Sequence, residues 1–407
     1  MTSRQRVLAA INHQKPDRLP IDLGSVSGTG IHAAVYDRLK RKLGIDTPTK
    51  VRTARNMLAE VEMAVLDRFG CDVVPVDVSA AQWSLMQPSG GFPLKLTSDR
   101  ELYFSPTTVI RPEASGGWSL CNRDGTPFAR MPADGFYFDF IGAPPGATID
   151  PDKFRPSPDV SDEVLEAFAA RARMMHEQTD KAVFGWGSGI SLMGMSGALT
   201  DNITQGSLDE WLVMLMVEKD AANEMMDRSV EAAISRTKLL HQAAGRYIDV
   251  WGVASDDAGT QRGPMIAPEV FGEMIAPHYK KLCDWIHKHT HWKTFLHSCG
   301  SIYEYIPHWI AAGIEILNPV QISAANMEPD RLMRDFGGKI VFWGGGCETQ
   351  HVLPQSRPAE IRQHVGRNIR TFDAGKGGFV FSQVHNIQPN VPVDNIIAML
   401  EAARESG

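Results

Sequence analysis

Residues 294–300 read Thr-Phe-Leu-His-Ser-Cys-Gly, an apolar run ending in a histidine and a cysteine two positions apart. On an extended chain, side chains at i and i+2 point the same way, so His297 and Cys299 can grip one ion. Imidazole nitrogen and thiolate sulfur are ligands that zinc prefers. A second apolar run, Ile340 to Trp343, leads into Gly344-Gly345-Gly346-Cys347, and a third, Phe379 to Phe381, into Val384-His385-Asn386. A catalytic zinc takes three such ligands and leaves a fourth position open, and His297, Cys299 and Cys347 supply that set. His385 could be a fourth ligand, an acid-base group or a hydrogen-bond partner of a ligand. Each residue also has a plain structural explanation, the cysteines as small buried side chains and His297 as a hydrogen-bonded rim residue. The coincidence of such residues at three strand ends favours the metal.

Further polar residues fall at comparable places. Asp256-Asp257 follow Trp251-Gly252-Val253, where an acid can orient substrate or a ligand histidine, and Asp257 is the catalytic candidate. Helix capping would explain the pair equally well. Asn318 and Gln321, around Pro319, could hold a substrate oxygen or build a turn. Asp22 and Asn386 complete the substrate-binding candidates. Asp22 and His32 flank the loop Gly24 to Gly30, which lacks any phosphate-binding fingerprint.

These residues need strands that end side by side. From about Lys181, short apolar runs alternate with segments of helical period, the signature of repeated βα units and a parallel sheet. Expected strands are Pro20 to Leu23, Asp72 to Val78, Ala182 to Trp186, Ile248 to Val253, Thr294 to His297, Ile314 to Leu317, Ile340 to Trp343 and Phe379 to Phe381. Eight strands with helical partners predict a (β/α)8 TIM barrel, whose candidate residues gather at the carboxyl-terminal mouth. A stripe of Leu58, Val61, Val65 and Phe69 predicts a helix stopped by Gly70, and Pro277 predicts a kink in a helix spanning Pro268 to His289. Ser161 is positioned to cap a helix whose Val164, Leu165, Phe168 and Met175 face inward. Residues 90–156 read as an antiparallel β-rich insertion in one domain spanning 1–407, with a hairpin turn at Asn122-Arg123-Asp124-Gly125 and a return path through Pro144-Pro145-Gly146 and Pro151 to Pro158.

The 407 residues are 43% hydrophobic and 22% charged, with a formal net charge of -7. That balance gives no support to binding of nucleic acid or an anionic membrane, and favours a small-molecule enzyme. Five scattered cysteines argue for a reducing compartment, and the first residues lack a signal-peptide core, so the expected location is cytoplasmic. The longest apolar run, Trp211 to Val217, is too short to span a bilayer.

The stretches Leu8 to Pro20, Asp256 to Pro264, Leu296 to Gly300, Ile316 to Gln321, Trp343 to Cys347, and Val384 to Pro389 with Pro392 and Asn395 together resemble the uroporphyrinogen decarboxylase superfamily. The resemblance implies a barrel with its site at the mouth. The decarboxylase holds its polycarboxylate substrate with an arginine-rich segment after the first strand, and here no arginine lies between Arg18 and Arg38. The cobamide-dependent methyltransferase branch instead carries a zinc-binding His-x-Cys and a distant cysteine, which His297 and Cys299 match in part. By that resemblance the third ligand has moved to Cys347, or His385 stands in place of a thiolate. The implied function is transfer of a methyl group from a small methylated donor, best an aryl methyl ether, to a corrinoid (cobalamin) on a separate corrinoid-binding protein. A thiol-methylating enzyme of the coenzyme M type and a metal-free decarboxylase are the alternatives, and a homodimer is among the assemblies the chain could form. Aromatics of the insertion (Tyr103, Phe104, Trp118, Phe136, Tyr137, Phe138, Phe140) could wall the donor pocket or form the insertion's own core.

Overall fold

The computed structural model describes residues 1–96, 98–142, 148–193, 203–204, 207–373 and 376–406. Seven parallel strands stand side by side in chain order: β1 (Val73–Asp77), β2 (Ala182–Ile190), β3 (Val250–Ser255), β4 (Lys293–His297), β5 (Ile316–Asn318), β6 (Val341–Trp343) and β7 (Phe379–Val380). The gap between β7 and β1 is bridged at Ile21. It pairs in parallel with Phe381, and its carbonyl accepts the Asp72 N–H at 2.7 Å. The eighth position of the barrel is thus one bridging residue, where the sequence predicts a strand over Pro20 to Leu23. The fold is a TIM-barrel-like α/β architecture with further, largely antiparallel sheets built by segments before β1 and between β1 and β2.

Alternation along each strand sorts the residues. Phe295 of β4, Ile316 of β5 and Val341 and Trp343 of β6 belong to the inner cluster, whereas Leu296, Leu317 and Phe342 face the helical layer. By the same period His297 and Asn318 point inward at the tops of β4 and β5. Beneath them Phe184, Phe295 and Trp343 meet edge to face, with centroids 4.8 to 6.1 Å apart, and fill the barrel with a rigid floor. The helix Ser3–Ile11 adds Val7 and Ile11 to this inner cluster, and the Gly24 to Gly30 loop adds Val26.

Several elements differ from expectation for identifiable reasons. Leu58 and Ala59 pair with the strand Thr49–Thr53, so the predicted helix is confined to Met63–Phe69, ended as expected by Gly70 at φ 69°. Around Pro277 the long helix is not simply kinked. Pro268–Val270 and Ala276–His289 are joined by a π-helical turn over Phe271–Ile275, which accommodates the N–H that proline lacks. Ser161 precedes the helix Asp162–Gln178 without a side-chain cap, while Phe168 and Met175 are buried.

Between β1 and β2, Phe92–Leu94 pairs with Leu102–Phe104, which runs parallel to Thr49–Thr53. A four-stranded meander follows through Val109–Pro112, Trp118–Cys121, Pro127–Met131 and Asp139–Phe140. The Asn122 to Gly125 turn closes the second hairpin, with Gly125 at φ 89°. Residues 144–146 lie outside the described residues. No described helix is long and apolar enough to cross a membrane.

Candidate metal centre

His297, Cys299 and His385 each bring one ligand atom into a group whose members all lie within 4.8 Å of one another. The Cys299 sulfur is 3.3 Å from His297 Nε2, and the two imidazole rings meet edge to face at 5.5 Å. Ligand atoms around a tetrahedral zinc, with bonds of about 2.0–2.3 Å, stand about 3.5 Å apart, so this spacing fits a shared ion.

Both histidines are oriented by an asparagine. Nδ1 of His297 donates to Asn318 Oδ1 at 2.6 Å, and the Asn318 amide nitrogen donates to the Trp343 carbonyl at 2.8 Å, fixing which end of the amide faces the ring. Nδ1 of His385 donates to Asn386 Oδ1, which also accepts from Gln388 at 3.2 Å. An amide oxygen can only accept, so each Nδ1 carries a proton, and in the neutral ring the lone pair then lies on Nε2. Burial, with His297 beside it, pushes the His385 pKa down to about 4, so its ring is neutral at ordinary pH. Burial and the Asp257 carboxylate push the Cys299 thiol up, so ionisation there calls for a nearby cation. Donor set and tautomers both suit zinc.

Cys347 is not a member of this group. It follows Gly344, Gly345 and Gly346, pairs with Gln383, and turns its side chain into the layer between barrel and helices. There it is fully buried, with Sγ 3.7 Å from the Glu348 carbonyl, and burial pushes its thiol up. The three-residue glycine run breaks the strand's alternation, so a count of two from Trp343 does not tell where residue 347 points.

The other candidates are engaged by the protein itself. Asp22 is buried and accepts from the Ser25 N–H and hydroxyl and from the Trp343 indole. Gln321 accepts the Gly300 N–H at 2.8 Å, holding the turn after Cys299, where Gly300 adopts φ 89° against the Gly259 backbone. Asn318 and Asn386 hold the histidines. Each of these four side chains, expected to contact substrate, thus also holds a partner within the protein. Asp257 differs, being one-third exposed; its Oδ1 accepts the Cys299 N–H at 3.3 Å and stands 3.8 Å from His297 Nε2. Its neighbour Asp256 is wholly buried and accepts from Ser191, Leu192, Met193 and Tyr279, with burial raising its pKa to about 6.

Two contributors escaped the sequence reading. A Cβ on Gly28 would stand 2.6 Å from His297 Nδ1 and 2.8 Å from Asn318 Oδ1, so the glycine-rich loop packs directly on the hydrogen-bonded His297–Asn318 pair. Arg52 holds that loop by donating to the Gly24 carbonyl at 2.6 Å. The absence of a phosphate fingerprint in the loop was legible; the close approach of Gly28 to a histidine 269 positions further along the chain was not.

The family model described as uroporphyrinogen decarboxylase (URO-D) matches residues 143–406, well over half of the 407 residues. The chain belongs to the uroporphyrinogen decarboxylase family. Among solved structures, a methyltransferase from Methanosarcina mazei is similar over 100% of this chain and 98% of its own, with a TM-score of 0.59 and 16% identity. At that identity the likeness establishes the shared fold. Dispersin B is similar over 71% of this chain and 82% of its own at 10% identity, and its TM-score of 0.31 carries no argument. No curated protein matches the chain. The family match covers β2 to β7 and all three residues of the candidate centre, and leaves β1 and the strands before it outside.

Proposed function

We propose that this member of the uroporphyrinogen decarboxylase family is a zinc-dependent methyltransferase that moves a methyl group from a small donor, best an aryl methyl ether, to a corrinoid carried by a separate corrinoid-binding protein. The reading rests on the convergence of His297, Cys299 and His385, each histidine presenting Nε2 because an asparagine holds its Nδ1. Family membership and the fold shared with a methyltransferase support the reaction class. Zinc held there would supply a Lewis acid toward the ether oxygen, helping the phenolate to leave.

The chain's own residues have separable tasks. Asn318 and Asn386 hold the Nδ1 protons of the two imidazoles and keep the rings aimed. Asp257 faces the exposed side and can hold or return a proton at the departing oxygen. Phe184, Phe295 and Trp343 close the barrel below, keeping bulk water from that side. One thiolate with two imidazoles makes a less electron-rich set than two thiolates with one imidazole, which favours activating an ether over a thiol.

The test is zinc content of the purified protein together with transfer from an aryl methyl ether to cobalt(I) cobalamin, followed by visible absorption. One equivalent of zinc and methyl transfer are expected, both abolished in His297→Ala and Cys299→Ala. Full transfer by zinc-free protein, or by those variants, would refute the reading.

A further inference from the structure

Three ligands leave a tetrahedral ion one position short, and the fold brings one more side chain to that side of the centre. Asp257 lies on the segment that continues β3 along the top of β4. Ser255 pairs with His297, the Asp256 N–H donates to the His297 carbonyl at 2.9 Å, and the Ala258 N–H donates to Ser298 Oγ at 3.2 Å. The residues on either side of Asp257 are thus fastened to the His-Ser-Cys turn. Its own Oδ1 accepts the Cys299 N–H at 3.3 Å and stands 3.8 Å from His297 Nε2. That is the lone-pair side of the ring, since Asn318 and the Gly28 loop close the Nδ1 side. The separation is close to that of two ligands on one tetrahedral zinc, and a side chain one-third exposed is free to close the difference by a small rotation.

The other donor atoms nearby are spent. Asn318 and Asn386 give their Oδ1 atoms to the imidazole protons, Gln321 gives Oε1 to the Gly300 N–H, and Asp256 accepts from Ser191, Leu192, Met193 and Tyr279. Cys347 turns into the layer between barrel and helices. Charge points the same way. A divalent cation held by one thiolate and two neutral imidazoles keeps an uncompensated positive charge in a largely buried setting, and one carboxylate ligand cancels it. Without a cation the Asp257 carboxylate opposes ionisation of Cys299; a shared ion turns that repulsion into joint ligation.

We infer that Asp257 is the fourth ligand of the centre, the one that a methyl donor must displace to reach the ion. The inference rests on the zinc reading above, but it is measurable without methyl transfer. Cobalt(II), exchanged in excess into the full-length protein, reports its ligand set through its visible bands. With the carboxylate bound, the wild-type spectrum should stay unchanged between about pH 6 and pH 9. In Asp257→Ala and in the isosteric Asp257→Asn a water takes the carboxylate's place, so the bands should shift through a transition near pH 7, about where water on zinc ionises. A purely structural role would give wild type and variants the same response to pH. Identical responses, a transition in the wild type, or a wild type that takes up no metal overturns the inference. If the predicted contrast is found in protein that transfers no methyl group, the inference stands and the functional reading falls. If zinc-loaded wild type transfers methyl groups while its cobalt form titrates as the variants do, the reverse holds.

Discussion

At the scale of residues, the centre is a set of short, directional contacts that single changes should separate. His297→Ala, Cys299→Ala and His385→Ala should each lower zinc affinity by orders of magnitude, whereas Cys347→Ala should keep full zinc content and lose only packing free energy, about 1 kcal/mol for one small buried side chain. Competition with a chromogenic chelator measures this; zinc loss in Cys347→Ala would return that thiol to the ligand set. Asn318→Ala removes the acceptor of His297 Nδ1–H and should weaken zinc binding about 10–100-fold by the same assay. Gly28→Ala would drive a methyl group into His297 and Asn318 and should be at least as damaging, although it touches no ligand atom. His297 and Cys299 were legible because two residues at period two on one strand share a face whatever the rest of the chain does. For the third member of the group the sequence left Cys347 and His385 as alternatives, because their directions depend on turns after β6 and β7, where glycines and irregular backbone erase the period. Asn318 was legible as a polar residue at a strand end, but its partner is set by register: His297 of β4 lies directly beside it on β5.

At the scale of elements, strands with apolar runs were recognisable from composition, while short pieces were decided by tertiary pairing. Leu58 and Ala59 carry a helical stripe yet join a sheet, because Val51 and Thr53 offer a ladder there. The helix Ala33–Lys42 shows an element whose start depends on charge state. Its cap, His32, accepts the Ala34 N–H on Nδ1 at 3.1 Å and donates from Nε2 to the Phe136 carbonyl, so the folded chain needs the neutral ring. Burial pushes the His32 pKa from 6.5 down to about 4. The unfolded chain therefore takes up a proton first as the medium is acidified; the contribution is whole above pH 6.5 and is lost as the pH falls toward 4. Between pH 7 and pH 5 this one group should cost about 2 kcal/mol of unfolding free energy. His32→Asn retains a capping acceptor without the titration, so urea unfolding at the two pH values should show a smaller acid loss for the variant by about that amount. Equal acid losses in the two proteins would mean that the cap tolerates protonation.

At the scale of the whole molecule, the site exists only if the barrel closes, because β4, β5 and the segment after β7 must stand on one rim. The sequence predicted eight strands, and the closing one is the least regular, a single bridge at Ile21 that no propensity could delimit. Its strength comes from Asp72, which is wholly buried at the start of β1. The Asp72 carboxylate accepts Arg6 at 2.7 Å, Arg18 at 2.8 and 2.9 Å, and the Ile21 N–H at 2.9 Å, tying the first helix, the closing residue and β1 together. A carboxylate with this many charge-assisted donors is secure, but removing it leaves Arg6 buried with only Asp17 to pair. Asp72→Ala should therefore lower the unfolding free energy by about 3–5 kcal/mol. Arg18→Ala, which takes away the more exposed partner and leaves Arg6 in place, should cost less, about 1.5–3 kcal/mol. Urea denaturation of both variants measures the difference, and zinc retention in folded Asp72→Ala separates loss of stability from loss of the site. An Asp72→Ala cost no greater than that of Arg18→Ala would show that the barrel is held shut by its ladder bonds and inner packing, with the buried ion pairs adding little.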